Sequence, residues 1–412
     1  MNRRRVWVAA LSGLTLTALA VAPASVAAAP GPNGPTNCSS GAHTLSHFGD
    51  HVYPETGNGG YTSLHTDVHM VYDAKANQFL PGNHVVLTVR ATQCLTDFSL
   101  DFERTGVDNN DGPKLAVNRI LVGGTLAAYK FVQPTYPGDP NGQDDPDPRA
   151  HQAGQVVPVG GKENNPLPPA CTPEVTGKDV NAQNGDPCPA NKLVITPPAN
   201  IKKGTLFQVT VFYTGRPGVH TDGDGSTEGW FRNNKPPGDG GFVTTEPVGT
   251  EAWMPLNNHP TAKPTYDFYD TVTAGRTAVA NGRLVFTEHN APDSLFREGS
   301  TTYHWHSPAP IASYLVENSV GNFDYSFRDG SGDVVYFEAQ DSAIAAARKA
   351  LNKVAMDQQE AITHFQESIT GPFPFNSNGV VVALPVPVIG PDKVIPNPFC
   401  TMMATPLAVD AS

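Results

Sequence analysis

Short apolar runs of alternating character, each stopped by Gly, Pro, Asn or Asp, fill the chain between residues 61 and 132 and again from 192 to 316. His65-Thr66-Asp67-Val68-His69-Met70-Val71-Tyr72 ends at Asp73, His84 to Arg90 follows Pro81-Gly82-Asn83, and Phe98 to Phe102 alternates again. The pattern resumes at Lys192–Thr196, Leu206–Tyr213, Thr271–Thr273, Arg283–Thr287, Thr301–His306 and Ile311–Val316. β-branched and aromatic residues in runs this short suit a pleated, half-buried surface, which predicts a β-sandwich. Residues 133–190 break the pattern. Asp144-Asp145-Pro146-Asp147-Pro148 and Pro166-Leu167-Pro168-Pro169 lack ladder donors, so this stretch reads as a long exposed loop insertion. Gly and Pro number 39 each in 412 residues, short of the roughly 25–30% share of a low-complexity chain. A net charge of −12 with no basic cluster outside the N-terminus excludes a nucleic-acid partner.

Residues 1–29 read as a signal peptide. Arg3-Arg4-Arg5 is its positive end, Val6 to Ala22 its apolar stretch, and Ala27 or Ala28 its cleavage position. A membrane anchor is the alternative, but the apolar stretch is short for a span of roughly 20 residues. A twin-arginine route has its arginines here without the surrounding pattern. No stable span is expected after cleavage, and the mature chain is expected outside the cell. Export permits disulfides among Cys38, Cys94, Cys171, Cys188 and Cys400. Cys171 and Cys188 flank a polar loop and are expected to bridge each other. Cys38 with Cys94 is the natural second pair, which leaves Cys400.

After Gly321 the character changes. Val334-Val335-Tyr336-Phe337 is a strand, and a long helix is expected over about 342–369. Its apolar face is Ile344, Ala347, Leu351, Val354, Ile362, Phe365 and Ile369, with Asp341 or Ser342 as the cap and Gly371-Pro372 as the stop. This places a domain boundary near 320–330. No H-E-x-x-H, C-x-x-C or G-x-S-x-G occurs. His65 and His69 on one strand stand about 13 Å apart and cannot share a metal. His304 and His306 lie on one strand face about 7 Å apart and could share one only if a third ligand arrives. Asp222-Gly223-Asp224-Gly225 with Glu228 lacks the length of a calcium loop and reads as an acidic turn.

One block carries more. Glu246-Pro247-Val248-Gly249-Thr250-Glu251-Ala252-Trp253-Met254-Pro255-Leu256-Asn257-Asn258-His259-Pro260, followed by Lys263, resembles the signature block of the aminopeptidase N family of zinc metallopeptidases, the gluzincin aminopeptidases. The likeness is to a secreted, actinobacterial-type member. Leu193–Pro197, Val209–Gly215, Gly229-Trp230-Phe231, Ala280–Leu284, Ser313-Tyr314-Leu315 and Gly371–Phe375 fall in register with it. The resemblance covers roughly residues 61–382. It implies a mainly β chain: a sandwich domain over 30–320, then the strands and helix that open a thermolysin-like catalytic domain over 321–382, with a divergent Pro-rich tail at 383–412. It implies that Glu246 holds the α-amino group of a peptide, since a carboxylate in a closed cleft pairs with an ammonium through charge-assisted hydrogen bonds. The family's signature positions here are Gly249, Trp253, Pro255, Asn258, Pro260 and Lys263.

The departures matter equally. Asn258 stands where the family block has Asp. The family's zinc is held by H-E-x-x-H and a later glutamate, and residues 383–412 do not supply them. Without those ligands no zinc-bound water is available as nucleophile. The expectation is therefore a family member that keeps the amine anchor, lacks the peptidase zinc and is inactive alone. The alternatives are a non-catalytic extracellular module binding peptide N-termini or a cell-surface partner, or a remnant with no function. In the family, later parts of the catalytic domain cover the apolar face of the 342–369 helix.

Overall fold

The computed structural model describes residues 37–42, 57–103, 114–132, 192–221, 227–233, 240–246, 248–383, 387–390 and 393–396. The expected signal peptide, the loop with Cys171 and Cys188, and Cys400 lie outside them.

A nine-stranded sheet is the spine of the molecule. Its strands are β1 (Tyr61–Asp73), β2 (Gln78–Phe79), β3 (His84–Ala91), β4 (Lys114–Val122), β5 (Thr125–Leu126), β6 (Leu206–Arg216), β7 (Thr265–Thr273), β8 (Arg283–Asn290) and β9 (Ser300–Ser307). From one edge the order is β8, β9, β7, β1, then β2 and β3, then β6, β4 and β5. Most pairs are antiparallel, but β1 and β7 run parallel, with Asp67 beside Asp267 and His69 beside Tyr269. Alternation gives the sheet one apolar face. Val68, Met70 and Tyr72 of β1, Val85, Leu87 and Val89 of β3, and Phe268 and Val272 of β7 all point into the core.

Three smaller sheets cover that face. A four-stranded sheet (Ser39–Ser40, Leu95–Asp101, Lys192–Thr196, Ala128–Val132) meets it through Phe98, which packs edge-on against Tyr61 and Phe207. Cys38 and Cys94 are disulfide-bonded where the first two of these strands begin. A five-stranded sheet (Val219–Thr221, Thr227–Asn233, Gly240–Thr244, Asn318–Gly321, Thr277–Ala280) brings in Trp230, which packs against Tyr72 and Phe79. A three-stranded sheet (Phe323–Asp329, Val335–Asp341, Ser377–Val382) contributes Phe337 against Trp305. Apolar residues on both sides of 320–330, among them Trp305, Val320, Phe323, Phe337 and Val381, belong to one cluster.

Three expectations are corrected. The helix over 342–369 is two helices, α1 (Ala346–Met356) and α2 (Gln359–Thr370). The hydrogen-bond ladder shifts between them, where Gln358 N–H donates to Ala355 O three residues back. Asp341 does not cap a helix at 342; its carboxylate accepts from Ala343 N–H and forms a turn before α1. Gly371 ends α2 at φ 98°, a conformation that suits glycine. Ile311–Val316 is not a strand but contains a 3₁₀ turn at Ser313–Leu315. Its carbonyls are taken by side chains: Thr250 Oγ1 donates to Ser313 O, Thr245 Oγ1 to Tyr314 O and Asn281 Nδ2 to Leu315 O. In the expected tail, Pro387–Gly390 and Lys393–Pro396 pair as an antiparallel ribbon. The apolar stripe of α1 and α2 stays exposed, with Leu351, Val354, Phe365 and Ile369 each open over more than three-fifths of their surface.

Candidate functional site

The block from Glu246 to Lys263 is mostly a structural clamp. Residues from Val248 to His259 are buried. Trp253 sits against Trp230 at 5.8 Å between ring centres. Gly249 is required by close approach, because a Cβ there would lie 2.5 Å from Gly229 N and 2.8 Å from Thr244 O. Pro255 is buried, Pro260 half-buried and Lys263 exposed.

The clamp closes on Asp101 at the end of the strand Leu95–Asp101. Asp101 N–H donates to Leu256 O and Leu256 N–H to Asp101 O. Asp101 Oδ2 accepts from Gly57 N–H at 3.1 Å, Asn58 Nδ2 at 2.7 Å and Asn258 N–H at 2.7 Å. Its other oxygen pairs with Lys192, whose ammonium also donates to Gly57 O. Both members of this pair are fully buried.

Glu246 differs from the rest of the block, since its side chain is exposed. The loop that carries it is held on both sides. Thr245 is buried, and its hydroxyl donates to Tyr314 O at 2.6 Å. On the far side Val248 N–H donates to both carboxylate oxygens of buried Glu228. Glu228 is thereby committed inside the protein rather than to an acidic turn, and Asp222 to Gly225 lie outside the described residues.

The four histidines singled out in the sequence come together on the other, half-exposed face of the nine-stranded sheet. A bulge makes this possible. In β1 the register slips between Ser63 and His65. Tyr61 and Ser63 point into the core before the slip, and Thr66, Val68, Met70 and Tyr72 after it, so His65, Asp67 and His69 point outward. His69 lies in a row of stacked rings that crosses the sheet. Phe212, His84, His69, Tyr269 and His304 follow one another at 4.8, 4.3, 4.7 and 4.2 Å, with the guanidinium of Arg119 over Phe212. Burial in this stack, with His84 beside it, lowers the His69 pKa to about 4. One strand-row away is Asp267, which the sequence reading did not single out. His304 Nε2 stands 2.6 Å from its Oδ1, His306 Nδ1 3.0 Å from its Oδ2, and His65 Nε2 3.4 Å from Oδ2. His65 Nε2 is also 3.3 Å from Asp67 Oδ1.

With this geometry in place, solved structures offer a comparison. A two-domain M1 zinc metallopeptidase bound to L-arginine has a TM-score of 0.55 to this protein at 19% identity, over 83% of the present chain. The M1 zinc metallopeptidase from Deinococcus radiodurans scores 0.53, and a mutant of it bound to a Tyr-Ser-Ala substrate 0.54, both at 19% identity and the same 83%. The fold is shared with M1 zinc metallopeptidases. The present chain spans 60% of each of those chains. No family model matches the sequence, and no curated protein does. Among the described residues no helix is long and apolar enough to cross a membrane.

Within this M1-type fold, Asn258 has a physical reason to be an amide. Its Nδ2 donates to Val248 O at 2.7 Å and to Glu251 Oε2 at 2.8 Å, and both side chains are buried. Asp at this position would set two buried carboxylates against each other and leave Val248 O without that donor. Asn258→Asp is expected to cost about 2–4 kcal/mol near neutral pH. The loss should shrink in acid, where one of the two carboxyls takes up a proton. Urea denaturation of both proteins at pH 5 and 7.5 checks this, and equal midpoints at pH 7.5 would refute it.

Proposed function

We propose that this is a secreted protein that holds peptide N-termini through Glu246 and draws no peptidase chemistry from its own 412 residues. The carrying observation is an exposed carboxylate on a loop fixed from both sides, in a block otherwise committed to the core. A carboxylate so held accepts charge-assisted hydrogen bonds from an ammonium without first ordering its own loop. Two of the structural neighbours were solved with molecules that carry such a group, L-arginine and the peptide Tyr-Ser-Ala. Those neighbours are zinc metallopeptidases. The motif H-E-x-x-H does not occur in the present sequence, so residues 1–412 offer no such ligand set for a peptidase zinc. The reading divides the protein into a sandwich domain at 30–320 and the opening of a thermolysin-like domain at 321–382. Export by the segment 1–29 and a Cys171–Cys188 bridge belong to the same proposal.

Calorimetric titration with Tyr-Ser-Ala and with its N-acetylated form tests the reading. The free amine should bind about 10–100-fold more tightly, the worth of a hydrogen-bonded charge, and Glu246→Ala should abolish that preference. Aminoacyl-anilide substrates should stay intact in the same preparation. Equal binding of both peptides would remove Glu246 from the role and favour a binding module of another kind.

A further inference from the structure

We propose that His65, Asp67 and Asp267 form a divalent-metal site on the outer face of the nine-stranded sheet, of a class suited to zinc, with its fourth position open to water. The inference does not depend on the role given to Glu246, which lies elsewhere in the sequence.

The argument starts from one nitrogen. Thr265 Oγ1 donates to Leu64 O at 3.4 Å, so toward His65 it is an acceptor. His65 Nδ1 is 2.7 Å from that oxygen, and in the proposed metal-bound form it donates to it. The ring then carries its proton on Nδ1 and presents the lone pair of Nε2. That lone pair faces two carboxylate oxygens, Asp67 Oδ1 at 3.3 Å and Asp267 Oδ2 at 3.4 Å. A lone pair and two anionic oxygens repel one another unless a cation lies between them. Either a second proton on His65 or a metal ion meets that need. The two carboxylates and the hydrogen bond to Asp67 do raise the affinity of His65 for a proton.

The spacing favours a metal. Zinc bonds to imidazole nitrogen and carboxylate oxygen are about 2.0–2.2 Å long, and two of them at a tetrahedral angle place their donor atoms roughly 3.3–3.6 Å apart. The two separations from His65 Nε2 fall in this range, and all three donor atoms lie within 4.8 Å of one another. Outer partners hold the ligands as metal sites require. Thr265 fixes the His65 tautomer. His304 donates to Asp267 Oδ1 at 2.6 Å and His306 reaches its Oδ2 at 3.0 Å, which sets the plane of that carboxylate. His304 is itself stacked on Tyr269 at 4.2 Å. All three ligands are partly open to solvent, so an ion can enter and a water can complete the shell. His304 and His306 thus gain the third group that their spacing alone lacked, and they act as positioning residues rather than ligands.

Zinc titration of the chelator-stripped mature protein, followed by calorimetry and by thermal melting, tests the assignment. One equivalent should bind and raise Tm. Asp267→Asn and His65→Ala should each weaken binding at least about a hundredfold, and His304→Ala about 10–100-fold, through loss of orientation. These variants should melt cooperatively without zinc and lose the zinc-dependent rise, which separates a lost site from a lost fold. His84→Ala, in the ring row but away from the ligands, should bind zinc as the parent does. Cobalt in place of zinc should give the intense visible absorption of a four-coordinate centre. Absence of stoichiometric zinc in the parent, or binding unchanged in Asp267→Asn and His65→Ala, would overturn the proposal.

Discussion

Asp101→Ala is expected to destabilise the protein by about 3–5 kcal/mol, because it strands the buried Lys192 ammonium without its counter-charge. That is a large share of a typical total of roughly 5–15 kcal/mol. The loss is not confined to the ion pair. Gly57 N–H, Asn58 Nδ2 and Asn258 N–H all lose their acceptor, so the segment at 57–58 and the block at 248–258 come away from the same strand end. Lys192→Met should be damaging as well, since it leaves an unpaired carboxylate, although one that keeps its three other donors. The double variant Asp101→Ala/Lys192→Met should cost less than the two single losses added together, for it leaves no lone buried charge. Urea denaturation of the four proteins measures the coupling. Losses below about 1 kcal/mol for Asp101→Ala would show that the pair is dispensable.

Stability is expected to fall as pH rises through neutrality. Asp270 and Glu317 are fully enclosed, and burial pushes their pKa values up to about 7 and about 8. One oxygen of Asp270 accepts from Asn318 Nδ2, and the other has no hydrogen-bond partner among the described residues. Below about pH 4 both groups are protonated in the folded and the unfolded protein, and they add no pH dependence. From there to their folded values the unfolded state releases protons that the folded state keeps. Stability then falls by about 1.4 kcal/mol per pH unit and group, and it levels off above pH 8. His69 acts in the opposite sense only below about pH 6.5, where its unfolded form gains a proton that the folded ring refuses. Asp270→Asn removes one titrating group while keeping a side chain of the same shape. It should flatten the slope between about pH 4 and 7, leave the Glu317 slope up to about pH 8, and make the protein more stable than the parent at pH 8. A parent whose denaturation midpoint is the same at pH 6 and pH 8 would contradict this.

Much of the architecture was legible because alternation is a local property. Strands at 61–73, 84–91, 192–196 and 206–216 announce themselves by which side chains are apolar, and turns between them by Gly, Pro, Asn and Asp. What could not be read is what pairs with what. β1 and β7 are parallel neighbours although some 200 residues separate His65 from Thr265. The Asp67–Asp267 pairing, and with it the company His304 and His306 keep, exists only after that pairing forms. Asp267 has one local signal: Thr265 to Thr273 alternates, with Asp267 and Tyr269 on the side opposite Phe268. Lys192 and Asp101 were invisible for another reason. A charged residue at the end of a strand reads as solvated, and only the closing of the 248–258 block over it removes the water. Glu246 was singled out by resemblance alone, and the structure adds that of the two acids of its block, Glu246 and Glu251, it is the one that reaches solvent. The break between α1 and α2 leaves little trace, because the apolar spacing of three and four continues across it.

The bulge in β1 gives that strand a phase. Side chains before Leu64 and after His65 keep opposite parity, and the extra residue is the point where the count is reset. A strand built this way treats gain and loss of single residues unequally along its length. Removing one residue at the reset restores strict alternation and leaves Tyr61 and Ser63 inside together with Thr66, Val68, Met70 and Tyr72. A residue lost or gained farther along, between Thr66 and Tyr72, has no slack to absorb it and would exchange core for surface in the middle of the sheet. The histidine and aspartate face therefore sits on the rigid side of the reset, where evolution can change side chains but not their number.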